Sequence, residues 1–306
     1  MKTMAVINQY QKIFKEEIER KRGSLGKRPD WLKIKLPTGD NYNDVKNLMR
    51  RQNLHTVCEE ARCPNIAECW NYRSATFMIL GDTCTRSCGF CNIKLGIPQK
   101  LDLDEPRRVA ESVKELNLRH VVITSVNRDE LKDGGASIFA ETVRLIREEM
   151  PETTVEILIP DFRGSTDSFI TIMKNPPDIL NHNLETIKRL YPYVRPQAKY
   201  DRSLKLIKWF KERFLRTKSG IMVGIGEQPG EVIELMHHLV SHGCDILTIG
   251  QYLQPTKEHL PVDRFVSPDE FAMYKEEGLK IGFKIVESSP LVRSSYHADK
   301  HARAIF

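Results

Sequence analysis

The chain has 306 residues, 40% of them hydrophobic, and a formal net charge of +6 at pH 7. That length suits one large α/β domain with appendages. No apolar run approaches the about 18 residues of a membrane span, and the mixed charges include no long basic tract with interleaved aromatics, so neither a membrane nor nucleic acid is an expected partner. Seven cysteines are too few for a disulfide scaffold, and six of them fall between residues 58 and 91, which points to metal or redox chemistry with reduced thiols and a cytoplasmic setting. The first 22 residues contain Glu16, Glu17 and Glu19 and no long apolar core, unlike a signal or transit peptide.

In chain order, a polar amphipathic segment (5–22) and a linker rich in Lys and Pro (23–42) precede the cysteine region. Apolar or β-branched runs then recur at Ala75–Leu80, His120–Val126, Thr154–Ile159, Asp178–Asn181, Ile221–Val223, Asp245–Ile249 and Phe283–Val286. Helix-like stretches such as "EPRRVAESVKELN" and "PGEVIELMHHLVSHG" separate them. The alternation predicts βαβ units, in an open doubly wound sheet or a whole or partial (β/α) barrel. In either, functional residues cluster just after the strand ends.

Directly behind the first run stands "GDTCTRSCGFC", with Cys84, Cys88 and Cys91. Interleaved polar residues and the flanking Gly81 and Gly89 make it a loop at a strand's C-terminal end rather than a buried helix. A structural zinc site closes with four ligands, whereas three thiolates leave a position open. Three thiolates on a four-iron, four-sulfur cube hold three irons and leave the fourth for a small-molecule chelator. A second triplet, Cys58, Cys63 and Cys69 in "CEEARCPNIAEC", has spacings of five and six that no single straight helix presents on one side. Pro64 supplies the break, so Cys63 falls on a bend while "NIAECW" carries Cys69 back toward the same centre. Zinc and ordinary buried cysteines remain alternatives for this triplet.

CxxxCxxC after the first strand of a β/α pattern, with Phe90 before the third cysteine, resembles the radical S-adenosylmethionine (SAM) superfamily. The resemblance implies a partial (β/α)6 TIM-type barrel, and a 4Fe-4S cluster on Cys84, Cys88 and Cys91 whose open iron chelates SAM, with reductive cleavage to a 5′-deoxyadenosyl radical. The spacing CxxxxCxxxxxC resembles the auxiliary-cluster motif of lipoyl synthases. The C-terminal "VRSSYHA" reads locally as a turn or cap. Lipoyl synthases, however, end in an RSSY motif whose second serine ligates the auxiliary cluster, and Arg293, Ser294, Ser295 and Tyr296 reproduce it. By resemblance, Cys58, Cys63, Cys69 and Ser295 hold a second 4Fe-4S cluster.

The likeness runs from about residue 30 to about residue 300 and divides the chain into an N-terminal extension (1–50), an auxiliary-cluster segment (51–74), the barrel (75–287) and a C-terminal segment (288–306). It implies insertion of two sulfur atoms, at carbons 6 and 8 of an octanoyl chain in amide linkage on a lysine, with the auxiliary cluster as sulfur donor. The implied partners are octanoylated lipoyl domains of 2-oxoacid dehydrogenase E2 subunits, the glycine cleavage H protein, an electron donor such as ferredoxin or flavodoxin, and an iron–sulfur carrier protein. Another radical SAM enzyme with an auxiliary cluster, such as a methylthiotransferase, and a zinc-stabilised binding protein are the alternative readings.

Four further motifs follow strands. Asp133, Gly134 and Gly135 in "TSVNRDELKDGGA" let backbone approach the SAM amino end, or form a simple turn. Asn181 and Asn183 in "LNHNLET" are expected to reach the ribose or carboxylate, with His182 between them packed. Gly224 and Glu227 in "VGIGE" resemble the segment that lines the adenine. "GQYLQPT" is expected to line the cavity, and Cys244 reads as structural.

Overall fold

The computed structural model describes residues 7–22, 25–34, 40–72 and 75–306. The linker expected over 23–42 therefore lies outside the described residues at 23–24 and 35–39, as do residues 5 and 6 of the amphipathic segment. The strands are β1 (His55–Thr56), β2 (Thr76–Ile79), β3 (Thr83–Cys84), β4 (Lys94–Leu95), β5 (His120–Ser125), β6 (Thr154–Leu158), β7 (Ile179–Asn181), β8 (Arg216–Val223), β9 (Ile246–Gln251) and β10 (Ile285–Ser288). Each of the seven apolar runs overlaps one of β2 and β5 to β10; β2, β5, β6 and β7 lie wholly within theirs, whereas β8, β9 and β10 extend beyond theirs. The chain divides into two compact units, one of Ile34–Thr85, Ile93–Asn181 and Ser295–Phe306, the other of Met1–Lys33, Arg86–Asn92 and His182–Ser294.

In the first unit the strand order is β1-β2-β5-β6-β7. Thr76 pairs with Val122, His120 with Thr154 and Glu156 with Ile179, all parallel, and β1 runs antiparallel to β2 with His55 opposite Met78. Phe77, Ile79, Ile123, Val155, Ile157, Ile179 and Leu180 are fully buried. Such continuous apolar runs belong to parallel strands covered on both faces. Helix Glu105–Glu115, with Pro106 in its first turn, buries Val109, Ala110 and Val113 beneath that sheet, and helix Ala136–Glu149 buries Phe139, Val143 and Ile146. Two short strands, β3 and β4, pair Thr83 with Lys94 and Cys84 with Leu95.

In the second unit β8, β9 and β10 are parallel in that order. Helix Pro229–Ser241 starts from a capping box between Gln228 and Glu231, and helix Pro268–Ile281 from the Ser267 hydroxyl, which accepts from the Glu270 N–H at 3.2 Å. β8 begins at Arg216, five residues ahead of the apolar run Ile221–Val223. Thr217, Lys218 and Ser219 are buried within it.

Candidate active site

The first unit gathers the Cys58 triplet. The short helix Val57–Glu60 is capped by the Thr56 hydroxyl, which accepts from the Glu59 N–H at 3.3 Å. It ends where Arg62 takes a left-handed φ of 51° and the Cys63 N–H donates to the Cys58 carbonyl at 3.0 Å. Helix Ile66–Asn71 then carries Cys69, so Cys63 sits on the bend between two short helices, as Pro64 predicts. All three thiols are free of disulfide bonds. Burial, then the neighbouring Cys63, pushes the Cys58 thiol up to about 12. Burial, then Cys58 and Cys63, raises Cys69 as well.

The C-terminal segment comes back to this region within the same unit. Thr76, the first residue of β2, donates its hydroxyl to Ser295 Oγ at 2.8 Å, while its backbone N–H reaches the Cys58 sulfur. One threonine thus stands between the thiol and the serine. The Tyr296 hydroxyl donates to Glu68 Oε1 at 3.2 Å, beside Cys69, and His297 stacks on Tyr296 with ring centroids 3.9 Å apart. Trp70 is fully buried. Its Nε1–H lies by the Cys58 sulfur but completes no hydrogen bond of ordinary geometry.

The other cysteine loop begins at a strained turn. Leu80 and Gly81 both have left-handed backbones, with φ of 70° and 86°. For a leucine this costs about 1–2 kcal/mol. The Leu80 N–H donates to the buried Glu105 carboxylate at 2.7 Å and its carbonyl accepts from Arg128 at 2.9 Å, which together offset the strain. β3 then carries Cys84, whose sulfur accepts from the Asn127 backbone N–H at 3.4 Å and the Asn127 side-chain amide at 3.8 Å. In the second unit the Gly89 N–H donates to the Val194 carbonyl and the Gly89 carbonyl accepts from the Leu260 N–H, both at 2.9 Å. His259 Nε2 stands 2.9 Å from the Cys91 carbonyl, and its Nδ1 stands 2.9 Å from Thr256 Oγ1. Asn127, Arg128 and His259 were missed by sequence reasoning. The first two sit just after β5, in the same motif as Asp133, Gly134 and Gly135.

The donor sets fit iron–sulfur cubes. Soft thiolates, an orphaned indole donor beside Cys58 and paired amide donors on Cys84 suit thiolate-bound iron. Among the described residues no three His, Cys, Asp or Glu side chains converge as ligands of one ion do. Thiolates on a cube bind separate irons and so stand further apart than ligands of a single ion.

The remaining candidates have structural partners. Both Asp133 oxygens cap helix Ala136–Glu149, accepting from the Gly135 N–H at 2.9 Å and the Ser137 N–H at 2.8 Å. Burial opposes the charge, yet the hydrogen bonds from Ser137 and Gly135 hold the carboxyl below the usual range. Gly134 and Gly135 have φ of 62° and 91°. Asn181 donates to Glu156 at 2.8 Å and Asn183 to Glu185 at 3.0 Å, and each leaves a buried Oδ1 with no hydrogen-bond partner among the described residues. His182 is packed, with Nε2 2.9 Å from Ser203 Oγ. Glu227 folds back to accept from the Gly224 N–H at 2.6 Å and the Ile225 N–H at 3.0 Å, and burial raises its carboxyl. Cys244 is buried, its thiol donating to the Ile246 carbonyl at 3.3 Å.

Residues 78–239 match the family model of the radical SAM superfamily, and residues 3–63 match that of the N-terminal domain of lipoyl synthase. Among solved structures, Streptococcus suis SuiB with its precursor peptide SuiA has a TM-score of 0.56 at 12% identity, covering 95% of this chain and 63% of that protein. HydG, a maturase of the [FeFe]-hydrogenase, has a TM-score of 0.53 at 13% identity, covering 92% and 72%. The chain thus spans about three fifths of the length of SuiB. These likenesses show the fold, an α/β partial (β/α)6 barrel, and with the superfamily match they define the class: a radical SAM protein. Curated lipoyl synthases go further, with 60% identity in Rubrobacter xylanophilus over 91% of this chain and 87% of the relative, and 57% in Bacillus subtilis over 90% and 93%. The chain belongs to the lipoyl synthase family. Its cofactors are SAM and two 4Fe-4S clusters.

Proposed function

We propose that this chain inserts two sulfur atoms, at carbons 6 and 8, into a protein-bound octanoyl chain to form a lipoyl group. The observation that supports the reading is that Thr76 hydrogen-bonds both Cys58 and Ser295 while Cys63 and Cys69 lie close enough to Cys58 to interact with it electrostatically, in a chain that carries a second, separate thiol triplet. Cys84, Cys88 and Cys91 would hold the SAM-binding cluster, and Cys58, Cys63, Cys69 and Ser295 the auxiliary one. When bound, these groups supply radical hydrogen abstraction and a sulfide donor.

The protein's part is to hold and tune them. Asn127 donates to the Cys84 sulfur and so orients it, and His259 and Gly89 fix the loop that presents Cys88 and Cys91. Thr76 sets the Ser295 hydroxyl, a weak oxygen ligand suited to an iron that is released as the donor is consumed. Asp133, Gly134, Gly135, Asn181, Asn183, Gly224 and Glu227 are the proposed SAM-side residues, and the unpaired Oδ1 atoms of the two asparagines support that role. In this reading 1–50 form the N-terminal extension, 51–74 the auxiliary-cluster segment, 75–287 the radical SAM barrel and 288–306 the segment that supplies Ser295. Octanoylated lipoyl domains of 2-oxoacid dehydrogenase E2 subunits and the glycine cleavage H protein are the carriers in this reading. An electron donor such as ferredoxin or flavodoxin and an iron–sulfur carrier protein are the further partners in this reading, and the location is cytoplasmic. Among the described residues no helix is long and apolar enough to cross a membrane.

The test is anaerobic reconstitution with iron and sulfide, followed by mass analysis of an octanoylated lipoyl domain after SAM and reductant are added. A gain of two sulfur atoms is expected. Cys88→Ala should abolish SAM cleavage, whereas Cys63→Ala should keep cleavage and lose sulfur transfer. Equal loss of both activities in the two variants, or an unchanged octanoyl group beside abundant 5′-deoxyadenosine in the parent, would overturn the reading.

A further inference from the structure

Helix Gln9–Arg22 is polar along most of its length, yet its third residue, Gln11, is fully buried. The sequence "NQYQ" accounts for half of that. The Asn8 side chain accepts from the Gln11 N–H at 3.0 Å while Gln11 Oε1 accepts from the Asn8 N–H at 2.9 Å, a reciprocal cap that satisfies two backbone donors at the helix start. Such a cap uses only the oxygen of the carboxamide and normally leaves the NH2 in water.

Here the NH2 is turned inward. It donates to the Tyr193 carbonyl at 2.8 Å and to the Ser87 carbonyl at 3.2 Å. Ser87 immediately precedes Cys88. Burying a primary amide costs about 1–3 kcal/mol unless its hydrogen bonds are made, and this one makes all three seen here to backbone atoms. Two further contacts mark the spot as built. One turn along the helix, Phe14 stacks on Tyr193 with ring centroids 4.5 Å apart and planes 17° from parallel. A Cβ at Gly89 would lie 2.9 Å from Gln11 Nε2 and 2.7 Å from Leu260 Cδ1, so the amide lies directly against the loop backbone between Cys88 and Cys91.

We propose that Gln11 is a positioning residue for the cluster-binding loop: its carboxamide fixes the Ser87 carbonyl, and so the direction of the Cys88 thiol, making the N-terminal helix a strap on the loop that carries Cys88 and Cys91. The proposal rests on Cys84, Cys88 and Cys91 being that cluster's ligands. A glutamine that served only to dock the helix would look the same in a stability measurement, so the test reads the cluster.

In the fully reconstituted enzyme, Gln11→Met keeps the length and bulk of the side chain but removes the donors. Gln11→Glu keeps the acceptor for the Asn8 N–H and also removes both donors. Phe14→Leu weakens helix docking and leaves the amide in place. The readouts are the electron paramagnetic resonance signal of the reduced protein with and without SAM, the rate of iron loss to a chelator, and the thermal midpoint. Both Gln11 variants should change the SAM-responsive signal and lose that cluster's iron about tenfold faster than the parent. Phe14→Leu should lower the thermal midpoint with a parental signal and iron-loss rate. A parental signal in the Gln11 variants, the same change in Phe14→Leu, or failure of both Gln11 variants to fold would reduce Gln11 to an anchor and overturn the proposal. Cys88→Ala separates the two levels of argument. It should lose the SAM-responsive signal, and if it keeps it, the ligand reading itself is wrong whatever Gln11 does.

Discussion

Gly135 shows how a single missing side chain sets the approach to the cysteine loop. Its φ of 91° lies in the left-handed region, and a Cβ there would press well inside van der Waals contact with Leu80 Cδ1. Leu80 has little room to yield, because its side chain is buried and its backbone N–H and carbonyl are held by Glu105 and Arg128. Gly135→Ala therefore combines backbone strain with overpacking and should destabilise the protein by about 2–3 kcal/mol, read as a lowered denaturant midpoint at unchanged slope. A loss under about 0.5 kcal/mol would show that the leucine moves aside. The sequence flags this glycine pair but not its reason, since the reason is a contact with a residue 55 positions away. Cysteines behave differently: Pro64 alone places the bend between Cys58 and Cys69, because a proline's effect on a helix is local. Asn127 and His259 were not legible, as an asparagine donating to sulfur and a histidine beside a carbonyl leave no spacing pattern.

At the scale of elements, strands were readable wherever they carry apolar residues on both faces, as in "VVITS" of β5 or "ILTIG" of β9. β8 departs from this rule because its first half, "RTKSG", buries Thr217, Lys218 and Ser219, and a polar run gives no hydrophobic signal however deeply it is buried. Asp245 ties that hidden half to its neighbours. Its carboxylate accepts from Lys211 Nζ at 2.6 Å, from the Thr217 N–H at 3.1 Å and from Lys284 Nζ at 3.0 Å, so one side chain joins β8, the entry to β9 and the approach to β10. Burial works against the charge, but Lys211, Thr217 and Lys284 hold the carboxyl below its usual range. A folded value depressed below the unfolded one stabilises fully above the unfolded value, near 3.9, and is lost as pH falls through the folded value. Asp245→Asn should therefore cost about 1–2 kcal/mol at pH 7, and its deficit relative to the parent should shrink below about pH 4. Denaturant midpoints across that range check it; a deficit that stays constant with pH would mean that the carboxylate's charge contributes nothing.

For the whole molecule, family membership was legible because three motifs in fixed order carry it, and each consists of residues whose chemistry is unusual enough to stand out from packing. The N-terminal helix carried no such mark, since its buried Gln11 follows exposed polar residues and only the fold shows which way its amide turns. Net charge is a property that no single motif holds, and +6 bears on how a protein-borne substrate arrives. Many cations are already paired, such as Arg144 with Glu141 and Arg107 with Asp104, but pairing leaves the sum unchanged. A positive surplus raises the encounter rate with an acidic carrier by steering, and added salt removes that gain because the screening length falls from about 30 Å at 0.01 M to about 10 Å at 0.1 M. With an acidic octanoylated lipoyl domain, kcat/KM should decline as ionic strength rises through that interval, while kcat, set after binding, should hold. An uncharged octanoyl-lysine peptide, offered to the same preparation, should give a flat profile and so separates steering from any effect of salt on the clusters. A flat profile with the acidic domain, or parallel declines with both substrates, would show that the excess positive charge plays no part in bringing the carrier to the enzyme.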